Sequence, residues 1–307
     1  MITRLARFAL WRLCAATAFT VVVASSSLLL VRFAPGDAAS DLTITVADPS
    51  APRDARARMG LDRSPLAQLG AWLVGLARLD LGTSSRFGRP VTDLLGDRVA
   101  NTAVLAGLAL ALATLVGLPM GVVTGSRLKT PSTRFVVFLS VFLVACPPIL
   151  FTLALLFLSI SSGEWLPVAP GRIVLPLVAL ALPMAAVVER LQSQATAEAL
   201  SHPHIVAAAA RGVPVHRLVW LHALRPSLRS LLGVYGIIIA TLFSGSVAVE
   251  TMTAWPGLGR LMLDGLVSRD VYLVAGCALA GAVLIATGNL VADTLRAAID
   301  PRVREGV

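Results

Sequence analysis

Six apolar runs constrain this chain more than any other feature. They cover residues 8–31, 102–125, 135–160, 173–188, 231–249 and 271–292. As a helix, a run of about 20 residues matches the roughly 30 Å hydrocarbon thickness of a bilayer. Water is absent at that depth, so a spanning segment must satisfy its own N–H and C=O groups, and helices do so. The composition agrees. Of 307 residues, 56% are hydrophobic and 14% charged, whereas a soluble domain carries about 25% charged residues. The expected fold is all-α and integral to the membrane, with six transmembrane helices. The fourth run is the shortest and holds Pro176 and Pro183; it is either bent or extended into Glu189 and Arg190. Pro147 and Pro148 should kink the third run. The first run has a basic start and an apolar core, as a signal peptide does, but five more runs follow it, so it reads as a retained anchor.

The net charge of +9 needs no nucleic acid to explain it, because the cytoplasmic loops of membrane proteins collect Lys and Arg. Arg4, Arg7 and Arg12 open the first run, and Arg127, Lys129 and Arg134 separate the second from the third. Arg190, Arg211, Arg217, Arg225 and Arg229 fill the gap between the fourth and fifth, and Arg296, Arg302 and Arg304 end the chain. The opposite short loops hold only Arg172, Arg260 and Arg269. This asymmetry places both termini and the 189–230 gap in the cytoplasm. The outer loop at 34–100 is also Arg-rich, but loops beyond about 60 residues largely escape the charge rule. The organisation read from the sequence is an N-terminal anchor at 1–33, an extracytoplasmic loop with short helices at 34–100, a five-helix core at 101–300 containing the cytoplasmic loop 189–230, and a tail at 301–307.

The chain carries no sign of its own energy source. Its one lysine, Lys129, follows Leu128, so the Gly-Lys pair of a phosphate-binding loop is missing. It has no His-Glu-x-x-His and no Gly-x-Ser-x-Gly. Runs two to six, as bounded above, contain no Asp, Glu, Lys or Arg, the groups that ion-coupled carriers place at membrane depth. Cys14, Cys146 and Cys277 lie far apart in apolar surroundings and read as small hydrophobes. All four histidines, His202, His204, His216 and His222, fall in one cytoplasmic stretch without a strong ligand spacing. A chain of this kind either borrows its energy from a partner or is a passive pore.

The stretch "HIVAAAARGVPVHRLVWLHALRPSL" at 204–228 is too polar and too broken to cross a bilayer. Residues 205–211 are rich in alanine, a strong helix former. Gly212 can adopt the left-handed conformation that ends a helix, and Pro214 stops its continuation. Residues 215–224 can form a second short helix before Pro226. On residue chemistry alone, a docking element and an amphipathic connector on the membrane surface are equally consistent.

Further stretches resolve that choice. "FAPGD" stands at 33–37, and "MGLDRSPLAQLGAWLVGLARLDLGTSSRFGRPVTDLLGDRVANT" at 59–102. "SGSVAVETMTAWPGLGRLMLDGLVSRD" stands at 244–270, and "DPRVR" at 300–304. With the 204–228 stretch, these resemble the membrane permease subunit of the dipeptide/oligopeptide/nickel group of bacterial ABC importers, end to end. The resemblance implies a multi-pass protein of a prokaryotic plasma (inner) membrane, without catalytic activity. Its implied partners are a second homologous permease, two cytoplasmic ATPase subunits that bind the ATP and Mg, and an extracytoplasmic substrate-binding protein, all organised around the lipid bilayer. It implies no cofactor or metal in this chain. The ATPase-coupling loop would comprise Ala207, Ala208, Ala209, Arg211, Gly212, Val213, Pro214 and Arg217, with Arg211 and Arg217 reaching partner carboxylates or carbonyls. The chain departs from the superfamily by reading Val206-Ala207-Ala208 where Glu-Ala-Ala is frequent. Glu250, Trp255, Pro256 and Gly257 are the candidate outer gate, as a re-entrant or short helical segment; a turn with Trp255 in the aromatic belt is the alternative. Val91, Leu94 and Leu95 suit a short interfacial helix feeding the second span through Asn101 or Thr102 as N-cap, either meeting the binding protein or packing on its own spans. The rival to the importer reading is an ATP-independent channel or exporter subunit.

Overall fold

The computed structural model describes residues 2–33, 64–126, 130–163 and 171–299. Met59–Arg63 of the outer loop, Lys129 and the Asp300–Arg304 stretch lie outside the described residues, as does "FAPGD" beyond Phe33. Among the described residues the fold is helical without strands. The helices are α1 Ile2–Phe33, α2 Pro65–Leu76, α3 Val91–Ser126, α4 Pro131–Ala145, α5 Pro148–Ser161, α6 Val174–Leu200, α7 Pro203–Ala210, α8 Val215–Arg217, α9 Leu224–Met252, α10 Leu258–Val267 and α11 Val271–Ile299. A π-helical turn, Leu218–Ala223, joins α8 to α9. Among the described residues, five helical stretches are long and apolar enough to cross a bilayer, and the bent pair α4–α5 makes a sixth if it counts as one span.

The third apolar run does more than kink. Its two halves meet at 109°. Two successive X-Pro steps explain this, since a residue before proline is driven out of the helical region. Cys146 and Pro147 are accordingly extended, with ψ of 121° and 137°, and Pro148 restarts the helix where its missing N–H costs nothing. Both halves turn small hydroxyl residues inward: Thr133 and Ser140 are buried on α4, Thr152 and Ser159 on α5. Phe138, Phe142 and Phe157 point outward. Small residues permit close helix contact, and lipid makes no demand that large apolar side chains be inside.

The helices also overrun the apolar runs. α6 continues twelve residues past Val188 to Leu200, and α9 runs on to Met252. The spans therefore take in Glu189 and Glu250, both buried; the fourth run is extended through Glu189 and Arg190, one of its two readings, and the apolar runs end before their helices do. The second run is likewise part of a longer helix. α3 begins at Val91, where Asn101 and Thr102 are already interior, so neither is an N-cap. No proline interrupts residues 91–102, and helix propagation costs little once a turn exists.

The described residues form two compact units. One comprises residues 1–102 and 256–286, the other residues 103–255 and 287–307. In the first, Leu28, Trp72, Val91, Leu95, Leu261 and Leu273 build the core. Val91 and Leu95 therefore face protein, and not a membrane interface. Asp270 organises the polar side of this unit. Its Oδ2 accepts from the Ser84 hydroxyl at 2.6 Å and the Arg86 N–H at 3.1 Å, and its Oδ1 accepts from the Leu273 N–H at 3.1 Å. It thus caps α11 and pins the 83–90 turn together.

In the second unit α6 is the central helix: 56% of its best apolar window is buried, against 17–44% for the others. α3 reaches it through a period-four stripe of small residues, Ala109, Ala113, Gly117, Gly121 and Gly125. A Cβ built on Gly117, Gly121 or Gly125 would stand 2.4, 2.5 and 2.4 Å from the carbonyl oxygens of Ala185, Glu189 and Ser193. Only glycine lets two backbones meet this closely.

Candidate functional site

The 201–223 elbow is built between the ends of α6 and α9. Pro203 opens α7 at a first-turn position that suits proline. Gly212 closes it. The Gly212 N–H donates to the Ala209 carbonyl at 2.9 Å and the Val213 N–H to the Ala208 carbonyl at 3.2 Å, with Gly212 at φ +84°. This pair of bonds is the Schellman motif, which needs a left-handed residue in the glycine position. The apolar contact that accompanies the motif is also present. Val213 packs with Leu200 against a small core of Ala199, Ile205, Ala208, Leu218 and Ala223.

The nominated residues divide by face. Ala208 belongs to the elbow's own core and Val213 anchors beside it, so neither offers its side chain to a partner. Ala207, Ala209, Arg211, Gly212, Pro214 and Arg217 are exposed. Val206, Val215 and Leu221 extend the exposed set with apolar surface, at 55%, 70% and 69% exposure. A loop satisfied with covering itself would have turned these inward. His202 and His204 stack with centroids 5.8 Å apart. Among the described residues no group of three His, Cys, Asp or Glu side chains could hold a metal.

At the other nominated segment, the Trp255 N–H donates to the Glu250 carbonyl at 3.0 Å, closing α9 around Ala254 at φ +53°. Trp255 is 8% exposed and packs into the second unit's core, which sets aside a place in an aromatic belt at the lipid boundary. Gly257 is the extended N-cap of α10, a ten-residue helix. Asn101 and Thr102 take the role missing from their own helix: Asn101 Nδ2 donates to the Pro256 carbonyl at 2.9 Å, and the Leu258 N–H donates to Thr102 Oγ1 at 2.7 Å. The latter satisfies one of the first-turn N–H groups that a helix leaves open.

Sequence reasoning passed over a third cluster. Glu189 Oε1 accepts from Thr124 Oγ1 at 2.5 Å, linking α6 to α3. Gln192 Nε2 donates to Thr196 Oγ1 at 3.0 Å and to Ser227 Oγ at 2.8 Å, linking α6 to α9. All five side chains are buried. Small residues at every fourth position of α3 are a sequence signal that could have pointed to the glycine stripe, one that sequence reasoning did not draw on; the polar pairs carry no such signal, because they come from separate runs.

Residues 113–305 match the family model described as binding-protein-dependent transport system inner membrane component. The chain is 33% identical to a peptide transport system permease protein of Brucella abortus, over 92% of this chain and 94% of that one. It is 30% identical to the oligopeptide transport system permease protein of Bacillus subtilis, over 90% and 92% respectively. The nickel import system permease protein of Staphylococcus aureus is 26% identical, over 96% and 91%. A helical chain with up to six spans, matched over nearly its full length by such permeases, is a multi-pass membrane protein belonging to the family of binding-protein-dependent transport system inner membrane components.

Proposed function

We propose that this chain is the permease subunit of an ATP-driven importer for peptides or a related small solute, forming half of the translocation path. A second homologous permease supplies the other half. Two cytoplasmic ATPase subunits bind ATP and Mg, and an extracytoplasmic binding protein delivers the solute. The chain itself hydrolyses nothing and holds no cofactor. Both termini and the elbow face the cytoplasm, a reading supported by the Lys/Arg asymmetry of the loops.

The observation that carries the coupling role is the elbow's division of labour. Ile205, Ala208 and Val213 fasten it to the end of α6 and to the π-helical turn that leads into α9, while Val206, Ala207, Ala209 and Arg211 face outward, as do Val215 and Leu221. A partner gripping the outer face would pull on both helices through the inner one. Small alanine side chains let that partner approach closely, and Arg211 and Arg217 offer forked donors at its rim. Glu250, Trp255, Pro256 and Gly257 stand at the opposite end of α9 and serve as the outer gate in this reading.

The test is Gly212→Trp in proteoliposomes containing the whole complex. Space is open there, with nothing within 4 Å of a Cβ, so the change acts through the backbone. A non-glycine residue at this φ costs about 1–2 kcal/mol and misplaces the elbow. Uptake of labelled di- and oligopeptides should fall while the ATPases remain active. Parental uptake would refute the coupling assignment; transport by the purified chain without ATPases would favour a passive channel.

A further inference from the structure

We propose that Glu189 is a positioning residue for transport: with Gln192 one turn on, it sets the register of α6 against α3 and α9, so that motion of the elbow switches this register between two discrete states. The inference rests on the importer reading above.

The cluster lies where such a clamp must lie. α6 and α9 are the helices that enter and leave the elbow. Thr196 is four residues and Gln192 eight residues before Leu200, and Ser227 is four residues after Ala223. The Gln192–Ser227 bond therefore ties the two arms of the elbow just above it, and the Thr124–Glu189 bond ties one arm to α3. The glycine stripe sets the spacing. Gly121 sits against the Glu189 backbone oxygen and Gly125 against Ser193, which brings Thr124, between them, within reach of the Glu189 carboxyl.

Packing alone does not ask for a carboxyl and an amide here. Each carries a buried oxygen with no hydrogen-bond partner, Glu189 Oε2 and Gln192 Oε1. Leaving such an acceptor buried and unsatisfied costs about 1–3 kcal/mol, and a leucine at either position would avoid it. Residues three apart share a helix face, so both unpaired oxygens stand on the side of α6 that bears the clamp. In this conformation the cluster has fewer donors than acceptors. A shift of α6 against α3 or α9 can then exchange donors between oxygens, and two arrangements of similar energy become available. A two-state element biased from one end is the physical requirement for transmitting a movement.

The test uses the full complex in nanodiscs, with spin labels at Gln194→Cys on α6 and Arg225→Cys on α9 and the native cysteines replaced by alanine. ATP hydrolysis and the inter-label distance are measured without nucleotide and after vanadate trapping. The parent should switch between two narrow distances. Glu189→Leu and Thr124→Val should hydrolyse ATP but lose about two-thirds or more of that shift, whereas Glu189→Gln, which keeps an acceptor, should restore it. If Glu189→Leu fails to assemble, Thr124→Val and Ser227→Ala, each lacking one hydroxyl, decide on the same criterion. Variants that shift as the parent does overturn the clamp and leave the importer reading standing. A parental complex that hydrolyses ATP without any shift overturns the clamp alone; one that hydrolyses no ATP overturns the importer reading, and the clamp with it.

Discussion

Replacing Gly121 by alanine adds one methyl group to α3 at the centre of its close approach to α6. The new Cβ would stand 2.5 Å from the Glu189 carbonyl oxygen and 2.7 Å from the Gln192 Cβ. Ordinary contact begins near 3.4 Å, so the two backbones must part by about 0.9 Å. Neither neighbour can rotate away, one being backbone and the other the first carbon of a buried side chain. Overpacking a closed contact costs about 1–3 kcal/mol. Gly107→Ala is the control, because Gly107 lies on the same helix with nothing within 4 Å of its Cβ. There only the gain in helix propensity remains, about 1 kcal/mol in favour of alanine. The two variants should differ by about 2 kcal/mol, with Gly121→Ala lower. The assay is the thermal midpoint of the purified protein in one detergent, followed by loss of the monodisperse peak on size exclusion. Equal midpoints would refute the close α3–α6 contact and with it the spacing on which the Thr124–Glu189 bond depends.

Two further outcomes follow from single hydrogen-bond clusters. Asp270→Ala should leave the Ser84, Arg86 and Leu273 donors without their acceptor, cost about 1–3 kcal/mol and loosen the 83–90 turn; trypsin should then cut after Arg86 faster than in the parent, and an unchanged rate would count against the clasp. Thr114 Oγ1 lies 2.7 Å from the Leu110 carbonyl and 2.7 Å from the Tyr235 hydroxyl, which it joins in a hydrogen bond between α3 and α9. Tyr235→Phe should cost about 0.6 kcal/mol, the average for such bonds between membrane helices, a smaller drop in midpoint than Gly121→Ala gives.

The elbow was legible before any coordinates because its signals are local. An alanine run, a glycine that can take positive φ and a proline two residues later lie within eight positions, and the Schellman bonds join residues three to five apart. The outward face was only partly legible. Which alanines are buried depends on the angle at which α7 docks on Leu200 and Leu218, and Ala208 and Ala209 differ in nothing but that. Likewise the double proline announced a break in the third run, but not a turn of 109°.

What the sequence settled by itself was the class of molecule: apolar runs of bilayer length leave helices as the structure that satisfies the backbone, and the loops carry the family's signatures. What waited for the tertiary structure was every feature made by two distant segments. Hydropathy ended the fourth run at Val188 because Glu189 is expensive to bury alone. Folding places Thr124 against it, 65 positions away, and helical hydrogen bonding then carries α6 on to Leu200. A linear pattern records the cost of a polar group but not its partner, and the partner decides whether the group ends a helix or locks it to its neighbours.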